Sequence, residues 1–180
     1  MTRQFSAQSL NVQTLAESGE PLIESTLLQN MERLRNETRR LQPETDNKTR
    51  ITWRATADIR NAGAIWLHLQ ATTTVPLTCQ RCMSEVLMPL EVDQMYRFVA
   101  TEAIAMAEDD AADEDLLVLT PQFDLLAVLE DELLMALPLV PMHAMCPVEV
   151  VMAAGELPAS EAAPEKPNPF AVLAQLKVKK

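Results

Sequence analysis

Apolar and polar residues alternate strictly through Ile51, Trp53, Ala55, Ala57 and Ile59, with Thr52, Arg54, Thr56, Asp58 and Arg60 between them. A period of two is the signature of a strand with one buried face. Asn61-Ala62-Gly63 supplies a turn. The alternation resumes at Ile65, Leu67, Leu69, Ala71, Thr73, Val75 and Leu77, returns at Val86, Met88, Leu90 and Val92, and fades through Phe98. These three stretches predict an antiparallel meander buried on one side. Pro76 and Pro89 have no N–H to give a ladder, so edges or bulges are expected there.

Elsewhere the pattern is helical. Val12 to Ser18 reads as a short helical turn ending near Gly19. Ser25 or Thr26 would cap a helix running toward Leu41, with Leu27, Met31 and Leu34 on one face and Pro43 as its stop. Thr101 to Asp115 holds seven acids with little apolar content and is expected to be a mobile acidic loop. A short strand over Leu116–Leu119 follows. Asp124 then caps a helix from Leu125 to Ala136 that faces inward through Leu125, Leu129, Leu133 and Ala136. Its Glu130, Asp131 and Glu132 read as an exposed acidic face.

Pro, Ala, Glu and Ser dominate residues 157–167, the composition of a linker. Asn168 and Pro169 then open a terminal helix carrying Phe170, Leu173 and Leu176 and ending in Lys177, Lys179 and Lys180. The expected class is α+β: a twisted antiparallel sheet flanked by a few helices, with a separate short C-terminal helix. One domain over 1–156, a linker over 157–167 and a helix over 168–180 complete the organisation.

Composition narrows the setting. Hydrophobic residues make up 48% of the chain, enough for a core, and ten methionines partly replace scarce aromatics as fillers. No stretch reaches the roughly 20 apolar residues of a membrane span. Met1-Thr2-Arg3-Gln4-Phe5 does not lead into the apolar run of a signal peptide, so a cytoplasmic protein is expected. Three cysteines, two of them close together, suit a reducing compartment better than a disulfide framework. The net charge of −11 is uneven: Met31 to Arg60 carries a surplus of +3, whereas Glu85 to Glu165 sets eighteen acids against Arg97 alone. Such a surface repels phosphate backbones and favours basic partners, or simply keeps the protein solvated.

Cys79-Gln80-Arg81-Cys82 falls between two predicted strands, where a tight turn aims both sulfurs the same way, and His143 and Cys146 form a second pair. Three thiolates and an imidazole suit tetrahedral zinc. Met83 stands where a zinc knuckle often has glycine, and the alternative is a pair of reduced cysteines at a sheet end with His143 a polar loop residue. Redox sensing is a further alternative, although the flanks are strands and not the helix N-terminus that would activate a thiol.

Enzyme signatures are scarce. Three glycines exclude a phosphate-cradling loop, no nucleophile elbow is present, and His68 sits on the outward phase of a strand. Arg33, Arg35, Arg39 and Arg40 form the one basic footprint for RNA, with no aromatic residues interleaved for base stacking.

Several blocks resemble the bacterial YceD family of large ribosomal RNA subunit accumulation proteins. They are Val75-Pro76-Leu77-Thr78-Cys79-Gln80-Arg81-Cys82, the run from Asp124 to Glu132, Ala136-Leu137-Pro138-Leu139-Val140-Pro141-Met142-His143, Gly155-Glu156-Leu157-Pro158, and Lys166 to Ala174. The resemblance implies a non-catalytic cytoplasmic factor for synthesis, processing or stability of 23S rRNA, with no catalytic residues to transfer. Large-subunit assembly components are the expected partners: 23S rRNA, or a basic ribosomal protein that the acidic region from Glu85 to Glu165 would suit by charge. The family's cysteine pair falls on Cys79 and Cys82 and its histidine on His143, while the spacing from His143 to Cys146 is shorter than the family's. Phe170, Leu173 and Leu176 are expected to dock on a partner, the alternative being that the helix packs back on its own domain, since the linker is long enough for either. Direct rRNA binding through Arg33 to Arg40 is the alternative.

Overall fold

The computed structural model describes residues 5–38, 48–60 and 63–148. The expected linker (157–167) and terminal helix (168–180), with Phe170, Leu173 and Leu176, lie outside the described residues, as do Arg39 and Arg40. All the described residues belong to one compact unit that closes at Val148.

The architecture is α+β, as expected. In chain order come α1 (Val12–Ser18), β1 (Leu22–Leu27), a 3-10 turn (Leu28–Asn30), α2 (Glu32–Glu37), β2 (Arg50–Ile59), β3 (Ile65–Thr78) and β4 (Glu85–Val99). They are followed by α3 (Glu102–Glu108), a second 3-10 turn, β5 (Asp115–Val118) and α4 (Leu125–Met135). The five strands among the described residues lie in sequence order, β1-β2-β3-β4-β5. The first four pair antiparallel, while β5 adds to β4 in parallel, so the sheet is mixed.

The period-two segments form the meander because every second side chain enters one core. The register sets Trp53 opposite Ala71 and Ala71 opposite Val92, so a small residue sits between two large ones and makes room for the indole. Val12 and Leu15 of α1 and Leu125, Leu129 and Leu133 of α4 close the same core. Pro76 and Pro89 sit on an arm where β3 and β4 pair only with each other. Each proline therefore has an open side, and its absent N–H costs the ladder nothing there.

Three expectations are corrected. The expected helix does not begin at Ser25 or Thr26, which belong to β1; among the described residues of that stretch α-helix covers Glu32–Glu37, and Leu41 lies outside them. Pairing with β2, together with a hydrogen bond from the Trp53 indole to Thr26 Oγ1 (3.2 Å), overrides the local pattern. The acidic stretch from Thr101 to Asp115 is structured, beginning with α3 behind a Thr101 cap. Its charges are tolerated because Arg97 on β4 pairs with both Glu108 (2.8 Å) and Glu114 (2.5 Å).

The third correction concerns the acids of α4. Glu132 is buried, and Glu130 reaches across to accept hydrogen bonds from the backbone N–H groups of Arg33 (2.8 Å) and Leu34 (3.1 Å). Met31, at the start of α2, offers no side-chain cap, so Glu130 caps that helix from a distance. Glu130→Ala is expected to lower stability by about 1 kcal/mol, the usual worth of a cap. Urea unfolding checks this, and an unchanged midpoint would remove the capping role.

Candidate metal centre

The β3–β4 arm ends in the turn Cys79–Ser84. Cys79 N–H donates to Ser84 O (2.8 Å) and Met83 N–H donates back to Cys79 O (2.9 Å), which curls the backbone around the first cysteine. Closing so tightly puts Met83 in the left-handed region at φ 59°, where a Cβ is unfavourable. The position is the one that glycine often occupies in zinc knuckles, so the knuckle geometry is kept without its usual residue. Met83→Gly is expected to raise stability by about 0.5–1 kcal/mol, the relief of strain less the chain entropy of glycine. A thermal melt would detect it, and destabilisation would contradict the account.

The second pair arrives from α4. Pro138 and Pro141 forbid further helix and carry the chain back to the knuckle, where Gln80 N–H donates to Pro141 O (2.9 Å). His143 Nδ1 then lies 3.5 Å from Cys82 Sγ, and Cys146 Sγ lies 4.0 Å from Cys79 Sγ. One donor atom from each of the four residues falls within 4.8 Å of all the others. Around a tetrahedral zinc, two sulfurs stand about 3.8 Å apart and a sulfur and an imidazole nitrogen about 3.6 Å. The donor set and its spacing therefore fit such an ion. All three cysteines are free thiols.

Electrostatics point the same way. Burial pushes the Cys79 thiol up, but the backbone at Cys82, His143 and Arg81 and the His143 ring outweigh it and bring the thiol down to about 5. The Ser84 hydroxyl, 3.0 Å from Cys82 Sγ, and the Ser84 backbone hold Cys82 below its ordinary value. The Cys79 thiolate, opposed by burial and then aided by Cys82, raises His143. Burial and the two neighbouring sulfurs raise Cys146, which resists becoming a third negative charge beside two others. A divalent cation is what would let all three thiolates coexist.

The sequence missed Ser84 and the backbone donors of the turn, because nothing in residue type marks a hydroxyl that folds back on a thiol two positions earlier. The arginine footprint fares differently. Arg33 is bound by Glu130 and Asp131, and the hydrogen bond to Asp131 raises its pKa. Arg35 is half-buried on α2. His68 is not simply exposed: it meets Asp93 at 2.5 Å and draws that carboxyl below its usual range. Among the described residues no helix is long and apolar enough to cross a membrane.

Comparison with known proteins places these features. The sequence profile described as large ribosomal RNA subunit accumulation protein YceD matches residues 67–177, a span that contains all four clustered residues. A protein of that name from Haemophilus influenzae is 41% identical over 115 residues, 58% of this chain and 61% of its own length. The chain thus spans about three-fifths of that relative. No solved structure matches. On the breadth of the profile match, which exceeds half of its residues, the chain belongs to the YceD family.

Proposed function

We propose that this chain is a non-catalytic cytoplasmic factor that supports accumulation of large-subunit ribosomal RNA, through synthesis, processing or stability of 23S rRNA. It works as an adaptor in large-subunit assembly and holds one zinc ion in Cys79, Cys82, His143 and Cys146. The family and the name of the Haemophilus influenzae relative support the rRNA role. The observation that carries the adaptor reading is the closed donor set: four protein ligands fill a tetrahedral ion and leave no position for substrate. Zinc of that kind braces a fold, here tying the 138–148 segment to the β3–β4 arm. The terminal residues Phe170, Leu173 and Leu176 contribute a partner contact. Direct RNA binding finds less support, because Arg33 is already paired with two carboxylates.

The experiment is complementation in a bacterium lacking its own member of the family, read as the ratio of 23S to 16S rRNA. Wild-type protein should restore the ratio, and Cys82→Ser with Cys146→Ser should not. Full rescue by that double variant would remove zinc from the function. Cleavage of precursor rRNA by the purified protein alone would overturn the adaptor.

A further inference from the structure

We propose that Cys79 and Cys146 are a redox pair, which a small-molecule disulfide of the oxidised-glutathione class closes to an intrachain disulfide when the cluster is free of metal. The two sulfurs lie 4.0 Å apart, although the residues stand 67 positions apart in the chain. Among the described residues neither cysteine opens a helix, so no helix dipole activates its thiol. Proximity does so instead, because a thiol held beside another attacks it intramolecularly.

Three cysteines offer three disulfides, and the surroundings select one. Cys82 Sγ meets the Ser84 hydroxyl at 3.0 Å and His143 Nδ1 at 3.5 Å, contacts that a bond to either other sulfur would disrupt. Cys79 and Cys82 also share a turn pinned by the hydrogen bonds from Cys79 N–H to Ser84 O and from Met83 N–H to Cys79 O. Bonding brings two sulfurs to about 2 Å, roughly half the present separation of Cys79 and Cys146. Cys146 can supply that movement, since residues 136–148 contain neither helix nor strand and its neighbour Met145 is 87% exposed.

Burial sets the order of events. Cys79 is fully buried and Cys146 only half-buried, so an oxidant arriving from solvent meets Cys146 first. The Cys146 thiolate attacks one sulfur of the oxidant, whose S–S bond breaks as one small thiolate leaves. The Cys79 thiolate then attacks the Cys146 sulfur of this mixed disulfide and expels the second small thiolate. Two protons pass from the cysteines through solvent to the two departing thiolates. The pair loses two electrons and the oxidant gains them. A thiol reductant reverses both steps, as suits a disulfide in a reducing compartment. The new bond ties residues 138–148 to the β3–β4 arm, and it excludes a metal because both need the same two sulfurs.

The test incubates metal-free full-length chain with oxidised glutathione and maps disulfides by mass spectrometry of unreduced peptides. The expected product is a monomer lighter by two hydrogens, with Cys79 joined to Cys146 and the thiols restored by dithiothreitol. Cys82→Ser should form the same bond, whereas Cys146→Ser should lose free thiol at least about tenfold more slowly. Hydrogen exchange in 138–148 should be slower in the oxidised chain than in the reduced metal-free chain. A bond to Cys82 as the main product would overturn the proposal. So would a lasting glutathione adduct on Cys146, a disulfide-linked dimer, or a Cys146→Ser variant that oxidises at the wild-type rate. Zinc added before the oxidant should slow closure at least about tenfold, by taking the same sulfurs. Closure of the bond without any protection by zinc would overturn the metal centre and leave the redox pair standing, so the two can fail separately.

Discussion

Chelating zinc is expected to lower the melting temperature by about 10 °C while leaving the sheet folded. A ligand present at about a thousand times its dissociation constant stabilises the native state by about 4 kcal/mol, and each kcal/mol shifts a domain of this size by about 2–4 °C. The loss should be local. Trp53, Leu67, Leu69 and the α4 leucines form a core that needs no metal, whereas the 138–148 segment meets the arm through the Gln80 to Pro141 hydrogen bond and the cluster itself. Hydrogen exchange should therefore accelerate in 138–148 and in the turn 79–84 before the central strands respond. Cys82→Ser should reproduce the chelated state without added chelator. Protein purified without a histidine tag should carry one zinc per chain. Substoichiometric zinc together with a melt indifferent to chelator would sink the site.

Tyr96→Phe is expected to cost about 3 kcal/mol, more than loss of a neutral hydrogen bond. The Tyr96 hydroxyl donates to Glu132 Oε1 at 2.5 Å, and both residues are buried in the layer between β4 and α4. Burial, and then the bond to Glu132, push the phenol well above its ordinary range, so it stays a donor at any pH the protein meets. Removing the hydroxyl leaves a buried acidic group without its donor, and the desolvation penalty of that group then appears in full. The partner change tests the cause. Glu132→Leu in the Tyr96→Phe background should recover most of the loss, because two apolar groups of similar shape replace both partners. Urea unfolding of the four proteins gives the coupling. Additive losses would mean that the two side chains stabilise the fold independently.

The three long strands were legible because their alternation and their burial have one cause: each extends over one face of a single core. Asp124 was equally legible, since a cap is a local event, and its carboxylate accepts the Ala127 N–H at 3.0 Å as the residue type suggests. The stretch after Ser25 misled because Leu27, Met31 and Leu34 recur at helical spacing. The edge of the sheet claims Leu22–Leu27 instead. The acids after Thr101 misled because the base that holds them, Arg97, lies on another strand.

The candidate site divides along the same line. Residue type and spacing named Cys79, Cys82, His143 and Cys146, because thiols and imidazole are soft donors wherever they stand. Sequence by itself thus determined the α+β class, the central meander and the donor inventory, all of which follow from local periodicity and side-chain chemistry. Only the tertiary structure decided that the two donor pairs meet, that Met83 accepts a left-handed backbone to close the knuckle, and that Glu130 and Glu132 turn inward. Those outcomes depend on contacts between residues far apart in the chain, where the gain from packing and paired charge outweighs what any local stretch prefers.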